Sequence, residues 1–298
     1  MNKKIVSGIV AAVFVGVLAV GGALFSSSIA ATGNGTANRG IAALLLEQKF
    51  GPLVHHLSGG KLKLVSTFAG PDGLTGIIAE PVHGGQKTIV WGVKGPQGEY
   101  LIPGPVMSGA GQNLTVLAAQ SHGLMPKPMP AEEVAAKALE APGFILGKKG
   151  PVVAVFMDPN CIFCHKFYEE IMPDVLSGKI RLKVIPVAFL KPSSMPKDVT
   201  VLDGVDPAVV WANNEAMFND KTEEGGTKPS PILLPKVRQE ILENTRLLVR
   251  TGEMSTPTIV ACMQGAKVPE IIHGIAPHGV SKLVSGAVDL LPGGGCRG

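Results

Sequence analysis

The chain has 298 residues, 45% of them hydrophobic and 17% charged, with a formal net charge of +4. That length holds two modest domains with a sizeable buried core, and the composition is globular. So small a positive balance, with no basic cluster interleaved with aromatics, argues against a nucleic-acid partner.

At the N-terminus Lys3 and Lys4 precede an apolar run from Ile5 to Phe25, followed by Ser26-Ser27-Ser28-Ile29-Ala30. A basic start, a hydrophobic stretch and a small-residue end read as an export signal over residues 1–30, cut after Ala30. The run is also long enough to span a bilayer, so an uncleaved membrane anchor is the alternative. Either way the rest of the chain is exported, to a compartment where disulfide chemistry operates. Residues 31–38, rich in Gly, Thr and Asn, are expected to be unstructured, and Ile41 to Phe50 to be helical. From Leu62 to Met107 short apolar runs divided by Gly and Pro predict strands, with Gly95-Pro96-Gln97-Gly98 a hairpin turn. Residues 36–110 thus form an α+β domain of one helix and a curled antiparallel sheet. A domain this small gains from a partner, which suggests a dimerisation role. His55, His56 and His83 lack ligand-like spacing and are expected at the surface.

Residues 111–149 read as a linker containing one helix, Ala131 to Ala141, which starts after Pro130 and stops at Pro142-Gly143. The stretch VVAVFMDPNCIFCHKFY, residues 152–168, organises the C-terminal half. Val152 to Met157 predicts a buried strand, Asp158-Pro159-Asn160 a break with Asn160 as helix N-cap, and Cys161 the opening of a helix to about Leu176. A thiol there meets unpaired N–H groups and the positive end of the helix dipole, which favour thiolate. Cys161 is therefore the reactive member of a Cys-x-x-Cys pair, and Cys164 is placed to attack a mixed disulfide formed on it. Ile180 to Phe189 predicts the next strand, about 191–252 a helical insertion, Thr258 to Met263 and about Pro269 to Gly274 two further strands, and Pro277 to Leu291 a closing amphipathic helix. That order is thioredoxin-like, residues 150–298, with an inserted helical subdomain.

The segments DPNCIFCHKFY (158–168), RLKVIPVAFLKPSS (181–194) and STPTIV (255–260), with GEYLIPGPV (98–106) and GQNLT (111–115), resemble the periplasmic DsbC/DsbG family of thiol:disulfide isomerases, most of all its DsbG members. The resemblance implies a V-shaped homodimer, its cystatin-like N-terminal domains paired and its α/β thioredoxin-like catalytic domains facing a shared cleft. It also implies a periplasmic location, misoxidised or unfolded exported proteins as clients, a membrane electron donor of the DsbD type, and no cofactor. Cys161 would be the attacking thiol, Cys164 the resolving thiol, and Thr256-Pro257 a cis-proline loop that offers backbone to an extended client. Ile162 and Phe163 depart from the family's usual Gly-Tyr or Pro-Tyr at positions that tune thiol pKa and redox potential.

Other functions fit the same residues. Cys161-Ile-Phe-Cys164-His165 also matches the c-type haem attachment signature, although a strand–Asp-Pro–helix setting and a Thr-Pro strand have no place in it. Zinc would need Cys262 and a histidine in addition, and no second Cys-x-x-Cys exists. A structural Cys161–Cys164 disulfide without turnover is the plainest alternative, and a chaperone-like dimer that holds unfolded clients is the competing class. His165 either tunes Cys161 or faces solvent. Cys262 and Cys296 are expected to pair, since an exported chain with four cysteines favours two pairs. Phe156, Met157 and Met263 read as core, and Phe163 and Phe167 as an apolar client surface.

Overall fold

A computed structural model of the chain describes residues 34–276 and 278–297, with side chains from residue 44 onward. The segment expected to be an export signal, residues 1–30, lies outside these. Among the described residues no helix is long and apolar enough to cross a membrane.

Helix α1, Asn34–Leu57, leads into strands β1 (Leu62–Ala69), β2 (Thr75–Pro81), β3 (Thr88–Gly95) and β4 (Gly98–Ile102). They form an antiparallel four-stranded sheet in sequence order, and β3 and β4 meet at the Gly95–Gly98 hairpin the sequence announces. Leu62, Lys63, Leu64 and Val65 alternate in burial, as one face of a half-covered sheet requires. Helix α1 covers that face through Phe50 and Val54, which pack with Ile77 and Ala79. The close approach depends on Gly92, where a Cβ would lie 2.5 Å from the Phe50 ring. Helix begins at Asn34, so the tract expected to be unstructured over 31–38 is helical for most of its length. His55, His56 and His83 are exposed, as expected.

The stretch read as a linker with one helix holds two helices and a strand: α2 (Leu114–Ser121), α3 (Ala131–Glu140) and β5 (Phe144–Leu146). Helix α2 is capped by Asn113, whose side chain accepts from the Val116 N–H at 3.1 Å. Thr115 anchors it, its hydroxyl accepting from Trp91 Nε1 at 2.7 Å.

The C-terminal sheet takes in β5 and continues with β6 (Val152–Met157), after which come α4 (Ile162–Leu176), β7 (Arg181–Pro186), α5 (Ser194–Leu202), α6 (Pro207–Ala216), α7 (Pro235–Val249), β8 (Thr258–Met263), β9 (Glu270–His273), α8 (Gly279–Gly286) and β10 (Ala287–Val288). The sheet order is β10-β8-β6-β7-β5, with β9 also on β8. Central strand β6 runs parallel to β7 and antiparallel to β8. It is covered on both faces, which explains its unbroken apolar run. Val153, Val155 and Met157 pack with α4 and α8, whereas Ala154 and Phe156 pack against α3 and α7.

Among the boundaries that differ from expectation, two have a local cause. Helix α7 begins at Pro235 and not at Ile232, because Leu234 is extended before a proline that suits the first helical turn. The last helix ends at Gly286, short of Leu291, because Ala287 and Val288 turn to pair with Met263 and Cys262 of β8. Cys296 then forms a disulfide with Cys262, tying the Gly-rich tail to that strand.

Candidate functional site

Cys161 sits at the N-terminus of α4, one position outside where its sequence put it. It is the N-cap itself, with φ −92° and ψ 112°, and its Sγ accepts the Cys164 N–H at 3.3 Å. The sulfur thus takes the place a capping oxygen would fill. Asn160, expected to cap, is used elsewhere. Its Nδ2 donates to Ser193 Oγ and Ser194 Oγ at 3.0 Å each, and its Oδ1 accepts from Lys197 Nζ at 2.6 Å and from the Gly225 N–H at 3.1 Å.

The preceding turn is pinned by a buried polar network that the sequence did not disclose. Asp158 Oδ1 accepts from the Asn160 N–H and from Ser194 Oγ, and Oδ2 from the Phe189 and Leu190 N–H groups. Burial nevertheless raises the Asp158 carboxyl above its ordinary range. Lys197 is buried and bonds also to Glu224 and to the Gly225 carbonyl at 2.7 Å. A Cβ at Gly225 would run into Asn214 and the Pro159 carbonyl, so only glycine lets this strap lie against the turn. Helix α5 and the 219–225 strap of the insertion therefore set the backbone that presents Cys161.

The two thiols are free and differ sharply. Cys161 is pulled down from 9.0 to about 7, first by the Cys164 thiol, then by the Thr256 side chain and the backbone N–H groups of Cys164 and Phe163, against the opposing effect of burial. Cys164 is fully enclosed and pushed well above 9.0, first by burial and then by Cys161. Across from them the Thr256-Pro257 peptide is cis. The Thr256 carbonyl accepts from Cys161 Sγ at 3.4 Å, and the Thr256 hydroxyl is buried without a hydrogen-bond partner. The structure thus brings together Cys161, Cys164, Thr256 and Pro257, although Cys161 and Thr256 are 95 residues apart in the chain.

Cys161 lines a cavity of about 440 Å³, and a second of about 620 Å³ adjoins it, with Phe163, Ser255 and Thr256 lining both. Phe163 is 65% exposed, a ridge between them. Ile162 opens onto the first, beside Phe189, Leu190 and Met254. Phe167, expected on the same apolar surface, is instead core at 1% exposure, because it projects from the face of α4 that packs on β6. His165 does not face solvent: it is buried, its Nδ1 lies 2.9 Å from Glu215 Oε2, and its ring stacks on Phe218. Glu215 in turn is raised from 4.5 to about 7, chiefly by burial. His165 thus ties α4 to α6, and nothing in its contacts reaches the Cys161 sulfur.

A family model of thioredoxin-like domains matches residues 144–280. The chain is 26% identical over 204 residues to the thiol:disulfide interchange protein DsbG of Pseudomonas aeruginosa, covering 66% of this chain and 73% of that protein. To DsbG of Escherichia coli K12 it is 31% identical over 160 residues, covering 52% of this chain and 60% of that protein. Among solved structures, Helicobacter pylori DsbG aligns over 71% of this chain and 98% of its own, with 10% identity and a TM-score of 0.33.

Proposed function

We propose that this chain is a DsbC/DsbG-like thiol:disulfide interchange protein in which Cys161 attacks client disulfides and Cys164 resolves the product. The observation that carries this is the asymmetry of the pair: one thiol held near 7 at a helix N-cap, the other buried and held protonated. The Cys161 thiolate displaces one sulfur of a client disulfide, forming a mixed disulfide and releasing a client thiolate. A second client thiolate then displaces Cys161, which returns unchanged, and the client is isomerised with no net transfer of electrons. Alternatively Cys164 loses its proton and attacks Cys161, so the client gains two electrons and the Cys161–Cys164 disulfide forms. A reductant of the DsbD type must then restore the dithiol. A sulfenic acid on a client cysteine is attacked in the same way, with water as the leaving product.

The cis Thr256-Pro257 loop is the backbone edge that receives an extended client, and the exposed Phe163 with the two flanking cavities gives that client apolar footing. The same surface supports holding unfolded clients, a function that would survive loss of Cys161. Haem attachment is less well served, because His165 is engaged with Glu215 and Cys164 is enclosed. We place the protein in the periplasm as a homodimer paired through residues 36–110, where Leu44, Leu45 and Leu57 are exposed on α1. Its clients are misoxidised or unfolded exported proteins. The test is recovery of activity by a scrambled multi-disulfide protein in a glutathione buffer. Wild type should speed recovery and Cys161→Ser should not. Reduction of simple client disulfides without reactivation would identify a reductase, and inactivity in both assays would end the thiol-exchange proposal.

A further inference from the structure

His273 is not in the thiol pair, and neither attack by Cys161 nor resolution by Cys164 gives it a part. It lies on β9 directly across from Thr258 of β8, the residue after the cis proline. Next to it, the Gly274 N–H donates to the Pro257 carbonyl at 2.8 Å, so β9 is hydrogen-bonded to the loop itself. The Thr258 hydroxyl lies 2.7 Å from the Ser255 carbonyl and 3.1 Å from His273 Nδ1. A carbonyl only accepts, so the single hydroxyl proton of Thr258 goes to Ser255. Nδ1 must then carry the ring proton and donate to Thr258. The polar chain is therefore His273 Nδ1–H to Thr258 O–H to Ser255 C=O, and the next carbonyl along, Thr256, is the one against Cys161 Sγ. Ser255 Oγ is a second neighbour of Nδ1, at 3.5 Å. Burial lowers the imidazole pKa, opposed by the Glu253 carboxylate and the Thr251 backbone. His273 also lines the 620 Å³ cavity, together with Phe163, Ser255 and Thr256.

We infer that His273 is a positioning residue for client capture, its Nδ1–H fixing the Ser255–Pro257 loop through Thr258 so that an extended client disulfide meets Cys161 in line. The inference rests on the proposal that Cys161 attacks clients laid along this loop. It separates two properties of the site. Reactivity of the Cys161 thiol toward a small alkylating agent depends on the thiolate, which is held first by the Cys164 thiol, out of reach of His273, and only to a smaller extent by the Thr256 side chain. Reaction with an extended peptide disulfide depends also on loop placement, where a misplacement of about 1 Å costs on the order of 10²-fold in rate.

The experiment compares His273→Leu, His273→Asn and His273→Gln with wild type, measuring alkylation of Cys161 by iodoacetamide and its mixed-disulfide formation with a peptide carrying an aryl disulfide. Leu removes the donor, Asn places an amide N–H where Nδ1–H was, and Gln places it near Nε2. The expected result is about tenfold slower peptide reaction in Leu and Gln, near wild-type reaction in Asn, and alkylation within about twofold in all three. If Leu does not fold, the contrast between Asn and Gln decides. Three outcomes would overturn the inference: unchanged peptide rates, equal loss in Asn and Gln, or alkylation falling in parallel with the peptide rate. Absence of any Cys161–peptide adduct in wild type would instead refute the underlying function.

Discussion

Removing the Cys164 thiol should shift the titration of Cys161 in a calculable way. The Cys164 side chain is the largest influence holding Cys161 near 7. A hydrogen bond to a charged group contributes about 1.5–3 kcal/mol, and one pKa unit is about 1.4 kcal/mol, so its loss raises Cys161 by about one to two units. At pH 7 the thiolate fraction then falls from about one half to between about a tenth and a hundredth. The more basic thiolate is also the stronger nucleophile, about 3-fold per unit for a Brønsted slope near 0.5. The net loss of alkylation rate at pH 7 is therefore only about 2- to 5-fold, and the rate alone is a poor reporter. The pH profile is the better one. In Cys164→Ala the midpoint moves to about 8–9, and the curves cross, the variant alkylating faster than wild type in the alkaline limit. An unmoved midpoint, or one moved down, would refute the claim that Cys164 donates to the Cys161 thiolate.

Other consequences can be measured independently. Glu215 is raised to about 7 in the fold, so the native state binds the extra proton between its ordinary value of 4.5 and that point. Stability should then be greatest below pH 4.5 as far as this group is concerned, and fall by about 3 kcal/mol as pH rises to 7. Glu215→Gln should flatten that slope in urea unfolding measured across pH, and an unchanged slope would show that the carboxyl is not the cause. Lys197→Met should cost about 2–3 kcal/mol, since it strips Asn160, Glu224 and Gly225 of a charged donor in the turn before Cys161. Denaturant midpoints will show it, and wild-type stability would mean that the strap holds without the lysine. Cys262 and Cys296 are 34 residues apart in sequence, so opening their disulfide with Cys296→Ser should cost about 3–4 kcal/mol in the chain-entropy account. A loss below about 1 kcal/mol would show that β10 pins the tail unaided.

Much of the thiol site is legible in residues 152–168, because an apolar run, an Asp-Pro-Asn break and a Cys-x-x-Cys specify strand, turn and helix by local rules alone. Thr256-Pro257 is legible only beside that motif, since cis geometry is uncommon for an isolated proline. What escapes the sequence is what depends on distant partners. Asn160 has an ideal capping side chain, yet Lys197 and Gly225 compete for it, and the cap passes to the Cys161 sulfur. His165 stands on a helix where half the faces are wet, and only the position of Glu215 and Phe218 on and beside α6 decides that it is buried. Phe163 and Phe167 are four residues apart and read as one surface, but Phe163 precedes the point where α4 settles onto β6. Asn113 carries a visible capping signal for α2, hidden among the glycines that make the segment look like a linker.

In the proposed turnover Cys161 exchanges disulfides with protein clients and Cys164 completes the cycle. Its most direct test is to mix Cys164→Ala with a disulfide-bonded unfolded client, quench in acid and map the adduct by peptide mass spectrometry. A stable mixed disulfide through Cys161, absent from Cys161→Ser and short-lived in wild type, is the predicted result. Failure to trap any client on Cys161, or trapping that persists equally in wild type, would contradict the account.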